Sequence, residues 1–163
     1  MGSDNATAFG VTWDSMTTGS DGLYQHLAIT SGNYNLTTSK TVGTPEANAI
    51  KSADALAALK MAVGTSPNSD GSAASSYQFL AADVNKDGQI KSADALNILK
   101  MAVKNPAAPA SEWVFVDSSV GSESMSRTHV VWHANPQAVT LTADQQLHLI
   151  GIVLGDVNGS WVG

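Results

Sequence analysis

Two stretches of the chain carry apolar residues at helical spacing. Leu56, Leu59 and Val63 form the first set, and Leu96, Leu99 and Val103 form the second. Steps of three and four residues mark one face of an amphipathic helix. The surroundings are repeated as well. Ile50 to Leu56 recurs letter for letter as Ile90 to Leu96, and Leu59 to Val63 recurs as Leu99 to Val103, both at an offset of 40 residues. A match of that length marks a duplicated unit. Ser52 and Ser92 are predicted N-caps, and Asp54 and Asp94 fall in the first turn, where a carboxylate suits the helix dipole. Gly64 and Pro67 are expected to close the first helix, and Asn105-Pro106 the second. Between them, Thr65 to Ser75 reads as a linker and Ser76 to Ala82 as a short helix.

The flanks follow a different rhythm. Phe9 to Trp13, Tyr24 to Thr30 and Tyr34 to Val42 read as strands on one side. Glu112 to Asp117, Arg127 to His133, Ala138 to Leu141 and Gln146 to Leu154 read as strands on the other. Arg127 to His133 alternates, with Thr128, Val130 and Trp132 on one side. The expected class is α+β, with a β-sandwich-like unit built from N- and C-terminal strands and a helical pair inserted between them. The segments are 1–42 for the first strands, 43–105 for the insert and 111–163 for the last strands. Separate flanking pieces would each lack core, which favours a joint sheet.

Composition narrows the function. The 163 residues suit one domain, or one domain with a small insertion, and 43% apolar residues supply a core. A net charge of −6 without clustered Lys or Arg argues against nucleic-acid binding and favours cations. Cysteine is absent, which removes thiolate chemistry, Cys-type zinc sites and disulfides. No apolar run approaches the ~20 residues of a membrane span. Few charges among many Ser, Thr, Asn and Ala residues point to a secreted or bacterial cell-surface setting. Met1-Gly2-Ser3 reads as a cloning start, so a longer parent protein is expected.

The strongest chemical signal is Asp83-Val84-Asn85-Lys86-Asp87-Gly88-Gln89-Ile90-Lys91-Ser92-Ala93-Asp94. Ca²⁺ takes six to eight oxygens, and a twelve-residue EF-hand-like loop supplies them at fixed positions. Asp83, Asn85 and Asp87 occupy positions 1, 3 and 5. Gly88 permits the sharp turn, Gln89 offers its backbone carbonyl, Ile90 anchors the loop, and Asp94 closes it at position 12. Three carboxylates this close repel one another without a cation. In the first copy the corresponding positions 1, 3 and 5 are Gly43, Pro45 and Ala47, and no ion is expected on that stretch. The tail Asp156-Val157-Asn158 echoes Asp83-Val84-Asn85, making Asp156 and Asn158 candidates for a second metal site.

With Leu96 and Leu99 following it, the loop resembles a type I dockerin repeat over about residues 43 to 104. Dockerins carry two loop-helix units, bind Ca²⁺ to fold and dock onto cohesin domains. The resemblance implies a partner-binding role for Ser92, Ala93 and Lys100, and for Ser52, Ala53 and Lys60 in the other copy. It also implies a cohesin-like protein partner. The strand-rich stretch and the Gly-Asp-Val-Asn-Gly-Ser-Trp ending are similar to parts of large bacterial secreted proteins and adhesins.

Other chemistry is sparse. His129 and His133 would stand ~13 Å apart on a strand, too far to chelate one ion. No nucleophile elbow, phosphate loop or HExxH occurs, and no enzyme activity is expected. Trp13, Trp113, Trp132 and Trp161 could stack on sugars, although strand aromatics are more often core. The expected function is a calcium-binding protein-interaction module. A calcium-rigidified adhesin domain and a carbohydrate- or peptide-binding β module with a calcium staple are the alternatives.

Overall fold

The computed structural model describes residues 3–8, 11–18, 22–23 and 31–161. The stretch Tyr24 to Thr30, expected as a strand, lies outside these. The protein mixes helices with two small antiparallel sheets, consistent with the α+β class. Two compact units are present: Met1–Thr41 with His133–Leu149, and Val42–Trp132 with Ile150–Gly163.

The first unit is a four-stranded sheet. It contains β1 (Ser3–Ala8), β2 (Val11–Thr17), β3 (Gly32–Thr37) and β5 (Gln137–Leu141), in the order β2-β1-β3-β5. Strands from both flanks thus join in one sheet, since β5 runs antiparallel to β3 with Tyr34 opposite Val139. Alternation along β3 buries Tyr34 and Leu36 and leaves Asn33 and Asn35 exposed, the period-two pattern of a one-sided strand.

The second unit holds the helices α1 (Thr44–Ala49), α2 (Ser52–Ala62), α3 (Ser76–Ala82) and α4 (Ser92–Ala102). It also holds a two-stranded sheet of β4 (Trp113–Asp117) and β6 (Leu149–Val153). The core runs through Ile50, Ala58, Leu80, Ile90, Ile98, Val120, Leu154 and Val157. Full burial of each Leu or Ile contributes about 1.5–3 kcal/mol.

The duplicated helices bury their small residues. Ala55, Ala58 and Met61 of α2 face the core, as do Ala95, Ile98 and Met101 of α4, and the two helices pack on each other. The Leu/Leu/Val stripe of each helix faces outward: Leu56 is 55% exposed and Leu96 is 53% exposed.

Three local readings change. The N-caps are Lys51 and Lys91, with Ser52 and Ser92 as the first helical residues. Asp54 and Asp94 sit at the third position, where a carboxylate reaches back to the cap amide: Lys51 N–H donates to Asp54 at 2.8 Å and Lys91 N–H to Asp94 at 2.9 Å. Residues 44–49, aligned with the second copy's loop, form helix α1, with Glu46 accepting from Gly43 N–H at 3.0 Å. Arg127 to His133 is not a strand. Ser126 and His129 close a tight turn by mutual backbone hydrogen bonds of 3.0 Å, and local alternation did not foresee this return of the chain.

Candidate metal centre

The Asp83–Asp94 loop starts where α3 ends and finishes in the first turn of α4. Its residues have short side-chain acceptors two to five residues before backbone donors, and such sequences fold onto themselves. Asp83 Oδ1 accepts from Asp87 N–H at 3.1 Å, and its Oδ2 accepts from Gly88 N–H at 2.9 Å. Asn85 Oδ1 accepts from Asp87 N–H at 2.9 Å, and Asp87 Oδ1 accepts from Gln89 N–H at 3.0 Å. Lys86 and Gly88 adopt positive φ, 58° and 79°. At Gly88 that conformation is free of the Cβ penalty.

A neighbouring segment clamps the loop. Ile90 N–H donates to Arg127 O at 2.7 Å, and Val130 N–H donates to Gly88 O at 2.8 Å. Trp132 Nε1–H donates to Asp83 Oδ2 at 2.7 Å. These contacts hold the middle of the loop, at Gly88 and Ile90, and orient its first carboxylate. The Trp132 contact was invisible in the sequence, because Trp132 lies 49 residues beyond Asp83 and no local pattern joins them.

Asp83 and Asp94 are both fully buried. Asp94 Oδ2 holds the Lys91 amide, whereas Asp94 Oδ1 is buried and receives no close hydrogen bond, the Asn85 amide acting on the carboxylate only enough to lower its pKa in part. Burial pushes the Asp94 carboxyl above the ordinary value of 3.8, and the negative charges of Asp83 and Asp87 push it further. Leaving a buried acceptor without a partner costs about 1–3 kcal/mol, and more when it is charged. A cation beside Asp83 and Asp94 removes that penalty. Asp87 is exposed and turned aside: its Oδ2 lies 2.8 Å from Lys91 Nζ, and that hydrogen bond lowers its pKa. Among the described residues, no three His, Cys, Asp or Glu side chains are gathered closely enough to hold a metal by themselves. Asp83 and Asp94, with the amide oxygen of Asn85 and the Gln89 carbonyl, are the hard oxygens here that could hold a cation, and Asp87 would join them only by turning away from Lys91.

The remaining candidates fall in three places. Asp156 is buried in the turn after β6, and Asn158 is exposed beside it. Ser52, Ala53, Ser92 and Ala93 are exposed at the starts of α2 and α4, with Lys60 and Lys100 half-buried near their ends. Trp132 serves the loop, while Trp113 meets Trp161 edge-on at 4.9 Å and stacks with Phe115 at 6.0 Å. His129, His133 and His148 are exposed. No helix among the described residues is long and apolar enough to cross a membrane. Comparisons of the chain with protein-family models, with curated proteins and with solved structures return no match.

Proposed function

We propose that this protein is a calcium-binding, dockerin-like protein-interaction module of a secreted or cell-surface bacterial protein, without catalytic chemistry of its own. In fold terms the proposal is a dockerin-like helical pair carried by a β-sandwich-like unit. The observation that carries the interaction reading is the outward stripe on each duplicated helix. Leu56, Leu59 and Val63, and likewise Leu96, Leu99 and Val103, are spent on solvent while alanines fill the core. Exposed apolar patches of this kind mark interaction surfaces. The same helices carry Asp54 and Asp94 in their first turns, so an ion held in the loop fixes the first turn of the helix that bears the stripe. Ser92, Ala93 and Lys100, with Ser52, Ala53 and Lys60, rim these stripes as the dockerin resemblance implies.

The calcium half of the reading is supported by the unpartnered Asp94 Oδ1 beside Asp83. Hard oxygen donors and the absence of Cys and clustered His favour Ca²⁺ over zinc. An extracellular site with Kd of ~10⁻⁴–10⁻³ M would still be filled at millimolar Ca²⁺.

The test is binding of the whole chain to a panel of cohesin domains in millimolar Ca²⁺ and in EDTA. The expected result is Ca²⁺-dependent capture, lost in Asp83→Ala and in a Leu56→Asp/Leu96→Asp double variant. No capture at saturating Ca²⁺ would overturn the interaction reading. A large Ca²⁺-linked rise in Tm without any partner would instead favour a calcium-stiffened adhesin domain.

A further inference from the structure

The C-terminal tail folds as a second copy of the first half of the calcium loop. Asp156 Oδ1 accepts from Ser160 N–H at 3.0 Å, and its Oδ2 accepts from Trp161 N–H at 3.0 Å. Asp83 makes the same bonds to the residues four and five positions on. Gly159 has φ 64°, matching Lys86 at φ 58° three residues after the leading Asp. Asp156, Asn158 and Ser160 therefore stand where Asp83, Asn85 and Asp87 stand.

The other half of this loop comes from the first repeat. Asp54, the equivalent of Asp94, is fully buried, and its Oδ1 accepts from Asn158 N–H at 3.0 Å. In the second copy the Asn85 amide also acts on the equivalent carboxylate, Asp94, although Asp94 Oδ1 receives no such close hydrogen bond. Ser160 Oγ lies 3.2 Å from the Ala49 carbonyl, the counterpart of the Gln89 carbonyl. The two half-motifs are encoded more than 100 residues apart and meet here in the register of one twelve-residue loop.

Two further observations point to an ion. Ser160 Oγ is 3.2 Å from both Ala49 O and Asp156 Oδ1, yet a hydroxyl has one proton to donate. Three oxygens thus converge while the hydroxyl proton can serve only one of the two acceptors, Asp156 Oδ1 taking the Ser160 N–H as well. Asp54 and Asp156 are both buried, neither has an ion pair among the described residues, and the charge of Asp156 acts on Asp54. Two buried carboxylates without a counter-charge are costly unless a cation joins them.

We infer that Asp156, Asn158 and Ser160 of the tail join Asp54 and the Ala49 carbonyl of the first repeat in a split second Ca²⁺ site. The inference uses the Asp83–Asp94 loop as its template and so leans on the calcium reading of that loop. It accounts for two departures in sequence. Residues 44–49 are free to form α1, because the tail supplies the ligands they lack. Trp161 replaces the glycine of position 6, because the chain need not turn there to reach the closing Asp. With two carboxylates, where the first loop has three, the split site binds more weakly, since charge count tunes affinity.

The test is Ca²⁺ stoichiometry of the metal-stripped whole chain by native mass spectrometry, with calorimetric titration of Asp83→Asn, Asp156→Asn and Asp54→Asn. The expected result is two ions on the unaltered chain. The weaker event disappears in Asp156→Asn and Asp54→Asn, and the tighter one in Asp83→Asn. One ion, abolished by Asp83→Asn, would overturn the split site and keep the loop. One ion, abolished by Asp156→Asn but not by Asp83→Asn, would uphold the split site and overturn the loop. No ion on the unaltered chain would overturn both.

Discussion

The two helical repeats share a sequence and diverge in what surrounds them. Their caps have nearly the same backbone angles, −129°/172° at Lys51 and −125°/169° at Lys91. Both bury the Asp of the first turn and expose the same Leu/Leu/Val stripe. Ahead of α4 stands a continuous loop held by Trp132 and the Arg127–Val130 turn. Ahead of α2 stands a short helix, and the loop's first half arrives from the far end of the chain. A helix start that carries a buried carboxylate thus sets a demand, and two different chain segments answer it.

Changes at matching positions sharpen this comparison. The largest effect is expected in the core. The repeats differ at the fully buried pair Ala58 and Ile98. Ile98→Ala should destabilise by about 2–5 kcal/mol through the cavity it leaves. Ala58→Ile should cost about 1–3 kcal/mol by overpacking. Urea midpoints measure both, and equal tolerance of the two changes would show that α2 and α4 are not packed as described.

Next is the clamp, which among the described residues is found at the second repeat. Trp132→Phe keeps the ring and removes the indole N–H donated to Asp83. Loss of such an outer partner should weaken Ca²⁺ binding at the continuous loop about 10–100-fold, read by calorimetry. An unchanged affinity would mean that the loop orients Asp83 without help.

The two repeats should respond alike to pH. Asp54 and Asp94 both have folded-state pKa values raised above 3.8, by burial first and by neighbouring carboxylates second. A raised carboxyl supports the folded state fully below its unfolded value, and that support is lost as pH rises through the folded value. The metal-free chain should therefore lose stability as pH climbs from about 4 through the raised values. Saturating Ca²⁺ should cancel the loss, because the ion binds the deprotonated form. Parallel pH series of denaturation midpoints in EDTA and in Ca²⁺ would reveal the difference, and coincident curves would count against an ion at either carboxylate.

The smallest effect lies at the helix ends. Gly64 closes α2 with φ 81°, and Lys104 closes α4 with φ 53°. A left-handed residue with a Cβ costs roughly 1–2 kcal/mol. Lys104→Gly should recover about 1 kcal/mol of that, offset in part by loss of the 2.7 Å hydrogen bond from Lys104 Nζ to Asn48. Gly64→Lys should be destabilising, and thermal melts would rank the pair.

Much of this was legible because it is local. The repeat, the extents of α3 and β4, and the order of donors in Asp83–Asp94 depend on residues within a dozen positions of one another. The Leu/Leu/Val spacing marks one face of an amphipathic helix, but spacing alone does not say which way a face points. Ala58, Met61 and Ile98 form an alternative face on the same helices, and helix-on-helix packing selected it. Asp156 and Asn158 were visible as an echo of the loop, while their meeting with Asp54 was not.

The sequence by itself determined the duplicated helices, the donor series of the continuous loop and the echo in the tail, since each rests on side chains reaching nearby backbone groups. Tertiary structure alone decided which helix face is buried, that Trp132 holds Asp83, and that Asp54 faces the tail. Those contacts join residues about 50 to 100 positions apart, and such pairs become neighbours only when burial of Ile50, Ile90, Leu154 and Val157 in a common core brings their segments together.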